Sequence, residues 1–351
     1  MRKRTRLIPH SLALLVLLLA GCMGEEERLE IAYSAIREEV PTRIVVVQDD
    51  GKKSRRVSGA RFRANPVLPT WSPDGRRIAF VRANPAGGPG AFETYVVNVD
   101  GSGERRLGVG TLPVWTKDGR SVIVERFSDP SRSSTIHVIP VDGSASRRLA
   151  IGSAPAVSHS GARVAFVRYT LRRRANGECC LTGSSSLYTI SVDGTGLRRI
   201  ARTTQRDIRW VQPSWLPNDS AIAVLQRRPG GAVGGPLLTF TPNGRRREIV
   251  PRVGETYDWS PKGDLIAYSE GDILFIIRPD GTEVDSYGQS NAVDIEWSPD
   301  GRMVAYSVQE VLQTGQFVGL YIIDVEKQER RRFVIADGFA AYLDWRPKPP
   351  D

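Results

Sequence analysis

A seven-bladed β-propeller, an all-β fold of four-stranded antiparallel blades, is predicted by three features of this 351-residue sequence. A motif of Trp followed by a Pro-Asp-Gly turn recurs at intervals of 38 to 58 residues. Short β-branched and aromatic runs, separated by tight turns, follow the copies in the pattern of antiparallel hairpins. The two ends of the chain carry complementary parts of one further repeat. A period near 40 to 50 residues with several strands per unit is typical of a propeller.

The motif copies set the number of blades. Four are well preserved: Trp71-Ser72-Pro73-Asp74-Gly75, Trp115-Thr116-Lys117-Asp118-Gly119, Trp259-Ser260-Pro261-Lys262-Gly263 and Trp297-Ser298-Pro299-Asp300-Gly301. Three are degenerate: Val157-Ser158-His159-Ser160-Gly161, Trp215-Leu216-Pro217-Asn218-Asp219 and Trp345-Arg346-Pro347. Because one unit cannot bury both of its faces, we expect the copies to stack with the repeated Trp in the core. A ladder of aromatic rings that stacks on a ligand is the alternative role for these side chains.

Each unit yields its remaining strands in the same order. The first strand leads into the Trp, and the turn is followed by apolar second strands: residues 78–81, 164–167, 266–269 and 304–307. The third strand, such as 95–99, usually closes on Asp-Gly, where Gly accepts the positive φ of the turn. Paired arginines often open the fourth strand. The N-terminus supplies strands two to four (30–34, 43–47 and 55–57), and the C-terminus supplies a first strand (342–345). Joined, they form the seventh blade and close the ring.

The repeated sequence Trp-Ser-Pro-Asp-Gly, followed by Ile-Ala-Phe and later by Tyr-Val and Asp-Gly, resembles the TolB-like, WD-repeat-like propeller repeat of bacterial proteins. The resemblance covers residues 29–346 and leaves 347–351 as a tail. Full-length TolB also carries an N-terminal α/β domain without a counterpart here, so the resemblance is to the propeller. Similar propellers precede the hydrolase domain of prolyl-oligopeptidase-like peptidases, and no such domain follows here.

Residues 1–21 are predicted to be a signal peptide, with a basic start and an apolar run from Leu12 to Leu19. The run ends in Leu19-Ala20-Gly21-Cys22, which resembles the bacterial lipobox. That resemblance implies acylation of Cys22 and removal of the preceding residues. An ordinary secretory signal with an incidental Cys is the alternative. Residues 22–28 would then form a tether whose five residues 24–28 span at most roughly 18 Å. We expect anchoring to the outer face of the cytoplasmic membrane or to the periplasmic side of the outer membrane.

The formal net charge is +10, which becomes +6 without the four basic residues of the signal segment. Many arginines fall in fourth strands, at the outer rim, where charge prevents edge-to-edge pairing. Attraction to anionic headgroups or cell-wall polymers is the alternative role. Arginines spread around a circumference do not predict nucleic-acid binding. We expect a monomer, and a protein or envelope polymer as the partner.

Cysteine is sparse. Cys179 and Cys180 are the only Cys residues besides Cys22, so the sequence offers no spaced ligand set for a metal and predicts no cofactor. In an oxidising compartment the adjacent pair forms a disulfide or stays as two thiols, and both alternatives remain open.

Binding is expected on one side of the disc. The tight turns between strands one and two, and between strands three and four, share one face, defined here as the turn face. The longer connections, including 83–92, 169–186 and 227–236, share the opposite, variable face. Ligand-binding residues concentrate on such loops.

One cluster of acids is expected near the central channel. The residue before the Trp is acidic in three successive blades, at Asp258, Glu296 and Asp344, and Asp294 and Glu255 are close in sequence. Carboxylates at one register are candidates to bind a cation or a basic ligand. The alternative is hydrogen bonding between neighbouring blades.

The sequence contains few candidate catalytic residues. After residue 21 the chain has only His137 and His159, and it contains neither a Gly-x-Ser-x-Gly elbow nor a His-Glu-x-x-His pair. Some TolB-like propellers are lyases with a histidine-rich metal centre, which two separated histidines do not match. We therefore predict a non-enzymatic envelope lipoprotein that binds through its variable face. The alternative is a hydrolase or lyase of an envelope glycan or peptide that uses the channel carboxylates.

Overall fold

A computed structural model confirms the propeller with seven four-stranded antiparallel sheets. It describes residues 28–37, 40–58, 65–83, 91–127, 134–170, 172–173, 179–180, 184–203, 205, 208–228, 234–288, 292–312, 315–333 and 339–348. No helix long and apolar enough to cross a membrane occurs within these ranges.

The first four blades are given from the axis outward. Blade 1 contains β30 (Phe339–Trp345), β1 (Glu30–Arg37), β2 (Val40–Gln48) and β3 (Arg55–Ser58). Blade 2 contains β4 (Asn65–Trp71), β5 (Arg77–Ala83), β6 (Phe92–Asn98) and β7 (Arg105–Val109). Blade 3 contains β8 (Thr111–Trp115), β9 (Ser121–Phe127), β10 (Ser134–Pro140) and β11 (Arg147–Ile151). Blade 4 contains β12 (Ser153–Val157), β13 (Arg163–Tyr169), β16 (Ser185–Ser191) and β17 (Arg198–Arg202).

The other three blades follow the same order, and one small ribbon is inserted in blade 4. Blade 5 contains β18 (Arg209–Trp215), β19 (Ile222–Arg227), β20 (Gly235–Phe240) and β21 (Arg246–Val253). Blade 6 contains β22 (Tyr257–Trp259), β23 (Ile266–Glu270), β24 (Ile273–Ile277) and β25 (Glu283–Tyr287). Blade 7 contains β26 (Ala292–Trp297), β27 (Met303–Leu312), β28 (Gly315–Asp324) and β29 (Glu329–Phe333). The inserted ribbon pairs β14 (Arg172–Arg173) with β15 (Cys179–Cys180).

The predicted closure of the ring is confirmed in blade 1. β30 pairs antiparallel with β1, with Ile31 opposite Trp345 and Ala32 opposite Asp344. Glu30 lies at the centre of this junction: it receives hydrogen bonds from Arg55 Nη2 at 2.9 Å and from Arg346 Nη1 at 2.7 Å. The C-terminal segment is therefore joined to the N-terminal strands by a β-ladder and by a shared ion pair.

The hydrophobic core consists of clusters between neighbouring blades. The described core residues form seven such clusters, and every cluster draws its members from two adjacent blades. The repeated Trp side chains are buried in them, as predicted. Indole N–H groups also connect blades: Trp115 Nε1 donates to the carbonyl of Thr70 at 3.0 Å, and Trp345 Nε1 donates to that of Glu296 at 3.1 Å. Stacking of blades thus provides the burial that one blade lacks.

The innermost strands contain a feature that the sequence did not reveal. The residue three positions before the repeated Trp, or before Val157 in blade 4, has a positive φ in five blades: Leu68, Leu112, Ala154, Gln212 and Tyr342. In each case the pairing with the neighbouring strand shifts register at this point, so the strand carries a β-bulge. No glycine marks the position, and hence no sequence signal was present. Blades 6 and 7 have Thr256 and Asp294 there, without a positive φ.

Candidate functional site

The structure brings the four predicted carboxylates together at the inner edges of blades 6, 7 and 1. We define Asp258, Asp294, Glu296 and Asp344 as the axial acids. All four residues are partly exposed to solvent, although many protein atoms surround them. Glu255, in contrast, lies apart and forms an ion pair with Arg227 at 3.1 Å. The four acids named as candidates from the sequence thus come together, whereas Glu255, which is close to them in sequence, does not join them.

Three of the axial acids form hydrogen bonds between blades. Asp258 Oδ2 accepts the backbone N–H of Trp297 in the next blade at 2.8 Å. Asp294 Oδ2 accepts the N–H of Leu343 at 2.6 Å, and Asp344 Oδ2 accepts the N–H of Trp71. Each acid thus satisfies a donor on the following innermost strand, which supports the structural interpretation for these three residues.

Glu296 is different. It occupies the same register as Asp258 and Asp344, but no hydrogen bond to its carboxylate is found among the described residues. Asp294, two residues earlier in the same strand, accepts the hydrogen bond from blade 1 instead. Glu296 contributes only its backbone carbonyl, which accepts the indole N–H of Trp345. Its side chain is therefore the axial acid without a structural partner.

Burial and mutual repulsion raise the pKa values of all four axial acids. Burial raises the pKa of Asp258 and of Asp344 to about 7, although backbone donors oppose it and nearby acids add to it. Burial also raises the pKa of Asp294 to about 6. The pKa of Glu296 lies well above its usual range, because burial is reinforced by the charges of the other three. At neutral pH the cluster therefore holds protons.

The axial acids are not arranged around a metal. Nowhere in the described ranges do three His, Cys, Asp or Glu side chains form a group suited to a metal ion. Binding of a cation or a basic ligand by these acids stays a prediction.

The two histidines do not form a catalytic triad. Burial, together with the charges of Arg126 and Arg148, lowers the pKa of His137 to about 4, so its ring is neutral at pH 7. Its Nε2 lies 3.2 Å from Thr135 Oγ1. His159 lies in the first turn of blade 4, as predicted, and its backbone N–H donates to Asp219 at 2.7 Å. In the described part of the chain, neither imidazole forms a hydrogen bond with a serine or a carboxylate side chain.

The variable face carries an exposed aromatic pair that the sequence analysis missed. Phe92 begins β6 and Phe127 ends β9, so both lie at the variable-face ends of their strands. Their ring centroids are 6.2 Å apart, and the two residues are 38% and 56% exposed. Leu112 and Ile151 of blade 3 are exposed as well. Only the exposure revealed this site, because isolated apolar residues at strand ends have no signature in a sequence.

Much of the predicted variable surface lies outside the described residues. This applies to 84–90, 174–178, 181–183 and 229–233 within the long connections, and to the signal segment and Cys22. The backbones of Cys179 and Cys180 pair with Arg173 and Arg172, but their side chains are outside the description. Their redox state remains a prediction.

A pocket on the turn face was also not predicted. It has a volume of about 410 Å³ and lies between blades 1 and 7, beside the first described residues. Its lining includes Arg28, Asp49, Met303, Arg331 and Arg346. Burial raises the pKa of Asp49, although the charges of Arg28 and Arg331 oppose the shift. Oppositely charged side chains thus face each other in this pocket.

Comparison with solved structures places the architecture among known propellers. TolB from Acinetobacter baumannii matches with a TM-score of 0.54 and 15% identity, over 91% of this chain and 82% of that chain. The likeness places the fold among β-propellers such as that of TolB. An oligogalacturonate lyase in complex with manganese matches with a TM-score of 0.60 and 12% identity, over 88% of this chain and 86% of that one. Prolyl oligopeptidase B from Galerina marginata matches with a TM-score of 0.59 and 11% identity, over 91% of this chain but only 52% of the peptidase.

No protein-family model and no curated protein matches the sequence. The structural neighbours include TolB as well as a lyase and a peptidase. At identities of 11 to 15% the likeness establishes the fold alone. Function must therefore be argued from the surface of this chain.

Proposed function

We propose that this protein is a lipid-anchored, non-enzymatic module of the bacterial cell envelope that binds a protein partner through its variable face. The anchor would be Cys22, as the lipobox-like sequence Leu19-Ala20-Gly21-Cys22 suggests. A single observation supports the binding surface most directly, which is the exposed contact between Phe92 and Phe127. Phe, like Tyr and Trp, is enriched in the buried core of protein interfaces.

The position of the aromatic pair favours a protein partner over a small ligand. The rings lie at the boundary of blades 2 and 3, at strand ends that the rigid blades hold in place. Leu112 and Ile151 extend apolar exposure across blade 3. Exposed apolar side chains grouped on one face are typical of a protein interface.

Replacement of both Phe92 and Phe127 by Ser is expected to weaken partner binding by about tenfold or more, because the variant loses the aromatic contact area. The measurement is cross-linking and pull-down from the native envelope, followed by titration of the purified partner. Leu197→Ser is the matched control, since Leu197 is 49% exposed but lies on the turn face. Equal affinity of wild type and the double variant would exclude this surface as the interface.

The anchor is tested separately. In cells supplied with labelled palmitate, the wild-type chain should become labelled, and a Cys22→Ser variant should not. Absence of label on the wild type would refute the lipid anchor without affecting the argument for the aromatic pair.

Catalysis is the second candidate function, and the environment of Glu296 favours it. Its raised pKa suits a general acid at neutral pH. Asp258 and Asp344 are less suitable, because each accepts a backbone N–H that holds two blades together.

A Glu296→Gln variant therefore tests a catalytic role with less disturbance of the structure than a substitution of Asp258. If the protein is an enzyme, this change should reduce turnover of an envelope glycan or peptide by about 100-fold or more, as removal of a general acid does. The measurement is turnover across a panel of glycan and peptide substrates, with thermal melting to verify folding. If the wild type turns over a substrate and the Glu296→Gln variant does so equally well, Glu296 is not the general acid. If the wild type turns over none of the substrates, the result agrees with the binding function.

A further inference from the structure

The paired arginines of the outer strands lie at one end of the disc. They follow the turn between strands three and four directly, so they occupy the turn-face ends of β3, β7, β11, β17 and β29. In blade 5 the arginines at 245–247 lie at the start of β21, at the same end of the blade. Blade 6 is the exception, because its outer strand opens with Glu283. The arginines thus form an incomplete ring around the turn face.

One arginine in several of these groups is used inside the protein. Arg55 Nε donates to the carbonyl of Val99 at 3.3 Å, and Arg247 Nη2 donates to that of Pro279 at 3.2 Å. Arg147 Nη2 donates to the carbonyl of Val192. Each accepting carbonyl belongs to the turn of the next blade, so these guanidiniums connect neighbouring blades.

Six further arginines of these groups are exposed, and no hydrogen bond or ion pair joins their side chains to the described residues. They are Arg56, Arg105, Arg148, Arg198, Arg199 and Arg245. Protection of the sheet edge explains why charge is present there. It does not explain why arginine predominates at the turn-face ends of the outer strands in every blade except blade 6.

Acidic side chains on the turn face are engaged within their own turns. Asp100, Asp142 and Asp193 each accept the backbone N–H and the hydroxyl of the residue two positions later, at 2.7 to 2.9 Å. The six exposed arginines thus outnumber the exposed acids at the same ends of the outer strands, Glu283 and Glu329.

The chain also enters the propeller on this face. Arg28 and Leu29 precede β1 at its turn-face end, where the carbonyl of Leu29 accepts the N–H of Asp49 at 2.8 Å. Cys22 is six residues before Arg28, within roughly 20 Å even in an extended chain. A lipid at Cys22 would therefore bring the turn face, rather than the variable face, to the bilayer.

We propose that the exposed arginines of the turn face bind the anionic phospholipids of the membrane that carries the protein. The orientation rests on the proposed anchor at Cys22, whereas the electrostatic contact does not need it. Basic residues near an anionic leaflet each contribute attraction that decays within a Debye length. With the turn face on the lipid, the exposed aromatic pair of Phe92 and Phe127 points away from the membrane toward a partner.

The test uses the chain from residue 23 onward, which lacks Cys22 but keeps every described strand. Binding is measured by cosedimentation with vesicles of phosphatidylcholine alone, and of phosphatidylcholine with 30% phosphatidylglycerol (a composition of about one anionic lipid in three). We expect binding only to the anionic vesicles, and a decrease as salt rises. The triple variant Arg56→Gln, Arg148→Gln, Arg199→Gln should bind about 100-fold more weakly, at about fivefold per arginine.

The matched control replaces three exposed arginines at the variable-face ends of strands, Arg202, Arg228 and Arg252, by Gln. Thermal melting verifies that both variants fold. The proposal is overturned if the wild type ignores anionic vesicles, or if the two triple variants lose binding equally. Because the assayed chain has no acylation site, its result is independent of the palmitate experiment on Cys22.

Discussion

Replacement of Glu30 by Ala is expected to lower the free energy of unfolding by about 3 kcal/mol, near the lower end for breaking a buried ion pair. Glu30 is 8% exposed and receives hydrogen bonds from Arg55 and Arg346 at 2.9 and 2.7 Å. Its removal leaves two guanidiniums without their carboxylate at the point where the ring closes. The arginine side chains are 36% and 35% exposed, so partial hydration limits the loss. Urea unfolding at pH 7 measures the effect.

The pH dependence of this contribution has a definite sign. Burial opposes ionisation of Glu30, but the hydrogen bonds and charges of Arg55 and Arg346 outweigh it and lower the pKa. The stabilisation is therefore complete above the ordinary Glu pKa and is lost as the pH falls through the lowered value. Glu93→Ala is the control, since its ion pair with Arg106 at 2.8 Å is at the surface and contributes about 1 kcal/mol or less. A Glu30 variant as stable as the Glu93 variant would contradict the proposed role in closure.

Replacement of Glu296 by Gln is expected to stabilise the protein at pH 8, because the neutral amide avoids placing a charge among buried acids. The expected gain is about 0.5–2 kcal/mol, the usual size for a stabilising substitution. The axial acids have pKa values raised above those of the unfolded chain. The folded state therefore binds more protons between about pH 4 and 7. Stability that is present below pH 4 is lost as the pH rises through this window. Gln removes one charge that the cluster would otherwise have to accommodate.

Urea unfolding at pH 5, 6, 7 and 8 provides the measurement. The Glu296→Gln variant should show a flatter dependence on pH than the wild type, and its advantage should grow toward pH 8. Asp272→Asn is the control, because Asp272 is exposed and lies far from the axial acids in sequence. A wild type whose axial region becomes more stable as the pH rises, or a Gln variant less stable at pH 8, would contradict the interpretation.

The ring and its closure could be predicted because they depend on repeated local signals. Trp side chains, Asp-Gly turns and the matching ends of the chain each appear in the sequence, and the pairing of Ile31 with Trp345 confirms them. The bulges of the innermost strands could not be predicted in this way. A positive φ at Leu68 or Tyr342 is imposed by the curvature and packing of neighbouring blades, not by the residue itself.

The candidate sites were predicted only in part, for a similar reason. Register placed Asp258, Glu296 and Asp344 near one another. Only coordinates show that the carboxylates of Asp258 and Asp344 accept hydrogen bonds from the next blade, whereas the Glu296 carboxylate accepts none from the described residues. The aromatic pair joins residues 35 positions apart, from different blades. Such contacts between blades depend on three-dimensional arrangement, whereas the repeat specifies mainly what happens within a blade.

The shared blade has a consequence for the order in which the chain matures. Glu30 and Arg346 are 316 residues apart, so β1 is synthesised long before the segment with which it pairs. Contacts between such distant segments form slowly. Until residues 339–345 arrive, the edge of β1 stays unpaired and open to association with other chains. A polypeptide that stops early would keep this edge exposed, and quality control by proteases or chaperones could distinguish it from a finished ring.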